Sequence, residues 1–363
     1  MAANIINYYG GGNTAKGQIN FYDSIFGSVR DLYVIKNAPQ IIKTSFIKAI
    51  AQAYLLREHE IELINSYMHN EYVEGVIIPD AQVAFADGNP IYGARIGQVN
   101  RGKEFIDLSG VMQEDELLEM SGEIETLDNK MKKEFKKAQE AFDFSLKIHD
   151  ELNKIYFENM DEGKESDLAL NIIDKIFKDK SSSKESKVYH RFFWVITPEG
   201  SKDFIPDLTK NIEKRFFIKG RPGTGKSAIL KKILKEGQNR GFDLEAYHSG
   251  LDPDDIDMVV IRELSICIFA STNPYEYFLE KETDEILDPY NEFPDNWAQE
   301  KYKDKISELT EIYEEKLIEG KKYLTEGKKY MLQIEGIYLH SLDKEKLKNL
   351  QRGLGTLIEL YVR

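Results

Sequence analysis

Apolar residues fall into two registers along this chain. Short continuous runs such as Tyr33-Val34-Ile35, Val76-Ile77-Ile78 and Val83-Ala84-Phe85-Ala86 are rich in β-branched and aromatic residues and read as buried strands. Further on, Phe135, Ala138, Phe142, Ser145, His149, Leu152 and Tyr156 are spaced alternately three and four apart. That is the seam of an amphipathic helix with a heptad repeat. The pattern predicts a strand, loop and helix over 32–56, a strand over 60–65, an apolar segment over 73–78, a strand over 81–86, and a long helical region over 112–178.

The same series then recurs. A shift of 183 residues carries Tyr33-Val34-Ile35-Lys36-Asn37-Ala38-Pro39 onto Phe216-Phe217-Ile218-Lys219-Gly220-Arg221-Pro222, Lys43-Thr44 onto Lys226-Ser227, and Val76-Ile77-Ile78 onto Val259-Val260-Ile261. A shift of 184 aligns Asn89-Pro90 with Asn273-Pro274, and one of 182 carries the seam onto Leu317, Gly320, Leu324, Gly327, Met331, Ile334 and Tyr338. The second copy therefore predicts a strand, loop and helix over 215–236, strands over 243–248 and 264–270, an apolar segment over 256–261 and a helical region over 296–361. Small residues recur at the same two seam positions, Ala138/Gly320 and Ser145/Gly327. Glycine inside a helix costs about 1 kcal/mol, so these mark close approach by a neighbour. The polar, serine-rich stretch around Lys178–Lys187 reads as a linker. The division expected is 1–178, a linker at 179–190, and 191–363. Strands alternating with helices predict an α/β fold with parallel sheets and helices on both faces.

Composition removes several alternatives. With 41% hydrophobic residues the chain can bury a core. One cysteine, Cys267, excludes a disulfide framework and any multi-cysteine metal site. A net charge of −14, from 49 basic and 63 acidic side chains, argues against general nucleic-acid binding. No run approaches the ~18 apolar residues of a membrane span. The first residues lack the basic head and apolar run of a secretory signal, so a cytoplasmic location is expected.

Gly220-Arg221-Pro222-Gly223-Thr224-Gly225-Lys226-Ser227 fits G-x-x-x-x-G-K-[ST], between a predicted strand and a predicted amphipathic helix. Each residue type has a physical reason. The glycines let the backbone turn tightly and approach phosphate oxygens without a Cβ in the way. Successive N–H groups then form an anion-sized nest at a helix N-terminus. Lys226 reaches the β- and γ-phosphates, and the Ser227 hydroxyl ligates Mg²⁺.

This segment resembles the Walker A motif of P-loop nucleoside triphosphatases. The wider chain is similar to a bacterial family of tandem P-loop proteins described as ATPases or nucleotide-kinase-like. That likeness is carried by Gly11-Gly12-Asn13-Thr14-Ala15-Lys16-Gly17, Thr197-Pro198-Glu199-Gly200, the phosphate loop and Val83-Ala84-Phe85-Ala86-Asp87-Gly88. It implies two tandem P-loop domains, each with a long helical hairpin.

The aligned first copy reads Asn37-Ala38-Pro39-Gln40-Ile41-Ile42-Lys43-Thr44: the lysine and a hydroxyl persist, but every glycine is gone. β-Branched residues are poor at positive φ, so this loop is expected not to cradle triphosphate, the alternative being weak binding through Lys43 alone. P-loop enzymes usually hold Mg²⁺ through an aspartate ending a neighbouring strand. Asp87 has that place in the broken half and is expected to act locally, whereas the intact half shows Ser271 there. Another acidic source is Asp252, Asp254 and Asp255, directly after a strand. They suit either a metal and proton role or a helix N-cap. His248 and His149 are expected to be structural, Cys267 inert, and Gly10–Gly12 a flexible lead-in to the first strand.

The expectation is a protein that binds ATP or GTP with Mg²⁺ through its second half. Hydrolysis is the first reaction class, phosphoryl transfer to a nucleotide or small molecule the second, and a nucleotide-dependent binding switch the third. The helical seams are candidates for recruiting a protein partner.

Overall fold

The computed structural model describes residues 5–88, 103–157, 162–220, 225–271, 279–287 and 301–361. The first half runs β1 (Ile5–Tyr9), β2 (Gly11–Thr14), β3 (Gly17–Asn20), α1 (Tyr22–Phe26), β4 (Asp31–Lys36), α2 (Gln40–Leu55), β5 (Ile61–Asn65), β6 (Val73–Ile78), β7 (Val83–Asp87), β8 (Lys103–Asp107), α3 (Glu114–Glu119), α4 (Ser121–Phe157) and α5 (Glu162–Phe177). The second half repeats most of this: β9 (Val188–Phe192), β10 (Trp194–Thr197), β11 (Gly200–Asp203), α6 (Ile205–Thr209), β12 (Lys214–Lys219), α7 (Lys226–Asn239), β13 (Leu244–His248), β14 (Ile256–Ile261), β15 (Ile266–Ser271), β16 (Glu285–Leu287), α8 (Lys303–His340) and α9 (Lys344–Tyr361). Strand β9 takes residues 188–190 out of the expected linker and into the sheet.

The fold is mixed α/β around one twelve-stranded sheet, in the order β16-β12-β15-β14-β13-β9-β1-β5-β6-β7-β4-β8. The halves meet where β1 lies antiparallel to β9, at Tyr9 opposite Phe192. Phe192 is the copy of Tyr9 under the 183-residue shift, so a local two-fold passes through this pair. The hairpins β2–β3 and β10–β11 cross on the same axis: Asn13 Nδ2 donates to the Ile196 carbonyl at 3.1 Å, and Ile196 is the copy of Asn13. The Gly10–Gly12 run is no flexible lead-in. Gly11 and Gly12 open the buried β2, where a Cβ on Gly12 would meet Val195 and one on Gly11 would meet Tyr67.

The purely parallel expectation is corrected. Six ladders are parallel and five antiparallel. The apolar segments β6 and β14 each run against both neighbours. The cause is chain length. The connections 66–72 and 79–82, like 249–255 and 262–265, are shorter than the dozen or so residues a parallel crossover needs.

A second correction concerns the tails. A hairpin within each half was expected, but α4 packs along α8 of the other half. The small seam residues explain the fit: Gly320 lies under the Phe142 ring and Gly327 under the Phe135 ring, while Ser145 Oγ donates to the Tyr313 carbonyl at 3.0 Å. The seam offered to a partner helix is therefore occupied by the chain's own second copy. The shorter tail helices also cross over. Ala169, Ile172, Ile176 and Phe177 of α5 share a core with Ile229, Leu230 and Ile233 of α7. Leu350 of α9 packs against the core built on Phe46, Ile47 and Ile50 of α2.

Gly320→Ala is expected to lower stability by about 1–3 kcal/mol through overpacking against Phe142, although alanine is the better helix former. Gly336 lies in the same helix with open space where a Cβ would go. Gly336→Ala is expected to raise stability by about 0.5–1 kcal/mol. Denaturant unfolding of the two variants reads the difference, and equal signs would contradict the close approach.

Candidate phosphate-binding site

Strand β12, buried through Arg215-Phe216-Phe217-Ile218, delivers the chain to Gly220. Helix α7 begins at Lys226, with Gly225 as its N-cap at φ +70°. That backbone conformation favours glycine. Residues Arg221, Pro222, Gly223 and Thr224 of the predicted loop lie outside the described residues. Lys226 folds back so that its Nζ donates to the Gly220 carbonyl at 3.1 Å. Burial pulls its ammonium down to about 8, opposed by the nearby Asp257 carboxyl.

The acid loop divides in two. Asp255 faces the phosphate-loop helix: Ser227 Oγ donates to its Oδ1 at 2.8 Å, and Lys231 Nζ reaches the same oxygen at 3.0 Å. Asp252 and Asp254 face away and hold Lys16 of the first half's hairpin at 2.7 and 2.5 Å. Asp252 also accepts the Asp254 N–H, as an acid stabilising its own turn does. The structure thus places Asp255 at Ser227 and the other two in a latch between halves. His248 supports the loop, bonding through Nδ1 to the Pro253 carbonyl at 2.6 Å and through Nε2 to His190 at 2.8 Å. Burial and the His190 ring hold it near pKa 4. Cys267 is buried, and burial pushes its thiol well up.

The sequence reading missed Asp257. It sits on β14 and accepts the Trp194 Nε1–H at 3.0 Å. Burial, with Asp255 adding, raises its carboxyl to about 6. Its copy is Glu74, and an acid recurring inside an apolar strand was the available signal. His149 of α4 also borders this region, coupled electrostatically to Asp255, Lys226 and Asp252.

Strand register corrects the Ser271 comparison. Asp87 pairs with Ile35, and Ala270 pairs with Ile218, the copy of Ile35. The true counterpart of Asp87 is Ala270. Ser271 lies one residue on, where the side chain points to the opposite sheet face.

The first half fills the equivalent place with its own groups. Helix α2 begins at Gln40, one turn earlier than α7 relative to the repeat, so helix runs through the positions of the lost glycines. Asn37 alone keeps a left-handed backbone, at φ +61°, where the second half has Gly220. Lys43 Nζ is buried against Asp87 Oδ1 at 2.5 Å, which gives Asp87 the local role expected. Glu335, reaching over from α8, accepts the Ile41 N–H at 2.8 Å and the Tyr72 hydroxyl at 2.9 Å. Helix-start N–H groups are where an anion is favoured, and a carboxylate already sits there.

Comparison with protein-family models, with curated proteins and with solved structures finds no match. Among the described residues, no helix is long and apolar enough to cross a membrane.

Glu74 supplies a pH test. Burial raises its carboxyl from 4.5 to about 7. Between those values the unfolded chain releases a proton that the folded chain keeps, so stability falls as pH rises through the window. Asp257 adds a fall with the same sign. Glu74→Gln is expected to flatten the profile between about pH 4.5 and 7 in unfolding experiments. An unchanged slope would show that Glu74 is not the proton carrier.

Proposed function

We propose that the second half binds a nucleoside triphosphate, ATP or GTP, with Mg²⁺, as a P-loop-type domain, and that the first half is a copy that has lost this ability. The reading rests on Lys226 and Ser227 standing at a helix start preceded by left-handed Gly225, with Asp255 on the serine hydroxyl. The residues suit the ion. Ser227 Oγ and Asp255 Oδ1 are 2.8 Å apart, close to the about 3.0 Å between adjacent ligands of an octahedral ion with bonds of about 2.1 Å. Among the described residues no cluster of three or more His, Cys, Asp or Glu suits a metal by itself.

When bound, the metal neutralises phosphate charge. Lys226 and the loop N–H groups balance the remaining β/γ charge. Asp257, with a carboxyl near 6 and enclosed beside Lys226, has the properties of a base for water or an acceptor hydroxyl. Hydrolysis is the first reaction class on this reading and phosphoryl transfer the second. Ala270 in place of the strand-end acid favours slow turnover, and so a nucleotide-dependent binding switch as the alternative.

Calorimetry with MgATP tests the assignment. Lys226→Ala is expected to weaken binding about 100-fold or more, since it removes a charge-assisted contact from an enclosed site. Lys43→Ala is expected to lower thermal stability and leave affinity unchanged. Asp255→Asn is expected to remove the metal dependence of binding, whereas Asp252→Asn and Asp254→Asn keep it. Equal losses from Lys226→Ala and Lys43→Ala would overturn the single-site reading.

A further inference from the structure

The acid loop between β13 and β14 is gripped by the other half. Ala15 N–H donates to the Leu251 carbonyl at 2.9 Å, and Lys16 Nζ spans Asp252 Oδ1 and Asp254 Oδ2 at 2.7 and 2.5 Å. Both donors come from the turn between β2 and β3. At the loop's far end, the Asp255 N–H donates to the Asp252 carbonyl at 3.0 Å, and Asp255 Oδ1 accepts from Ser227 Oγ at 2.8 Å. A series of short contacts thus runs from the first half's hairpin, through Asp252, to the serine at the start of α7.

The repeat separates this series from a by-product of the two-fold. Ala15 corresponds to Pro198, which has no N–H to give. Lys16 corresponds to Glu199, while Asp252 and Asp254 correspond to His69 and Glu71. Glu199 pairs instead with Lys328 of α8. The backbone bond and the ion pairs are therefore both confined to the half that holds an aspartate on its helix-start serine. Global stability does not account for them, because Lys16 is 40% exposed and Asp254 78%, and ion pairs this exposed add little. What they control is the loop's position. Three carboxylates fall within four residues, and Asp150 of α4 is close enough to feel Asp252 and Asp255. Like charges this near push apart. Lys231 neutralises Asp255, and Lys16 neutralises the two behind it, so the loop closes on Ser227 against less repulsion.

We propose that the β2–β3 hairpin completes the metal side of the nucleotide site from the other half, with Lys16 the positioning residue that holds Asp255 on Ser227. This rests on the nucleotide-binding reading above. Lys16 acts through Asp252 and Asp254 on the loop, and touches neither nucleotide nor metal. An Asn at either carboxylate leaves the other on the lysine, so loss of Lys16 itself is what opens the latch.

A double-mutant cycle on the full chain tests this. Calorimetry measures the affinity for MgATP, and for ATP in EDTA, of wild type, Lys16→Met, Asp255→Asn, the double variant, Lys16→Arg and Lys226→Ala, with a thermal melt of each. Lys16→Met is expected to weaken MgATP about tenfold or more, as loss of a group that orients a metal ligand does, and to change metal-free ATP by less than about threefold. Lys16→Arg keeps the charge and is expected to hold MgATP within about threefold of wild type. In the Asp255→Asn background Lys16→Met is expected to cost nothing further, because the side chain it acts through is already gone. Hydrogen exchange of the unliganded chain reads the loop without nucleotide: the backbone of 249–256 is expected to exchange about tenfold faster in Lys16→Met. Should Lys16→Met fail to fold, Lys16→Gln takes its place in every arm. Additive losses with Asp255→Asn, equal losses with and without metal, or wild-type affinity or wild-type exchange in the folded variant overturn the positioning role. If that happens while Lys226→Ala still abolishes binding, the nucleotide reading stands without it. Absence of MgATP binding by wild type, or binding unaffected by Lys226→Ala, removes both.

Discussion

The antiparallel seam between β1 and β9 sets the rest of the molecule. It is narrow, with Tyr9 opposite Phe192, yet it places each half's hairpin over the other and brings the two seam helices side by side. Once the halves face each other about this axis, their helices pair without a further partner: bulky Phe135 and Phe142 on α4 meet Gly327 and Gly320 on α8. Around the same axis Arg191 is buried with Glu62 at 2.9 Å and lies over the Tyr8 ring, while Arg262 holds Glu245 at 2.6 Å. Breaking a buried pair of this kind leaves an uncompensated charge, so the join resists one-sided change.

One electrostatic demand is met in two ways. A helix beginning inside the protein exposes N–H groups that need an acceptor. The first half supplies its own, Glu335, and neutralises Lys43 with Asp87. The second half has Asn153 where Glu335 stood and Ala270 where Asp87 stood, so both internal anions are missing together. The same two repeat positions thus carry carboxyl groups in one half and neutral side chains in the other.

Much of this was legible in the residues. The place of Lys226 and Ser227 at the start of α7 was legible in the glycine loop. The small seam residues announced close approach. What the heptads do not state is which helix fills the seam, because both copies carry the same spacing. The sheet's antiparallel strands were hidden behind their apolar composition, although the short 66–72 connection already forbade a crossover. Asp257 escaped notice because it lies within a buried strand, where an acid looks like an irregularity unless Glu74 is set beside it. The slip between Ser271 and Ala270 came from applying the 184-residue shift at Asp87; the 183-residue shift already carries Asp87 onto Ala270, and the ladder agrees.

The exchanged tails have a consequence for the order of events during synthesis. Helix α2 is covered in part by Leu350 of α9, and the Ile41 N–H waits for Glu335 of α8. Both come from residues translated long after α2 has left the ribosome. The nascent first half therefore carries an unfinished core and an uncapped helix start until the second half has emerged.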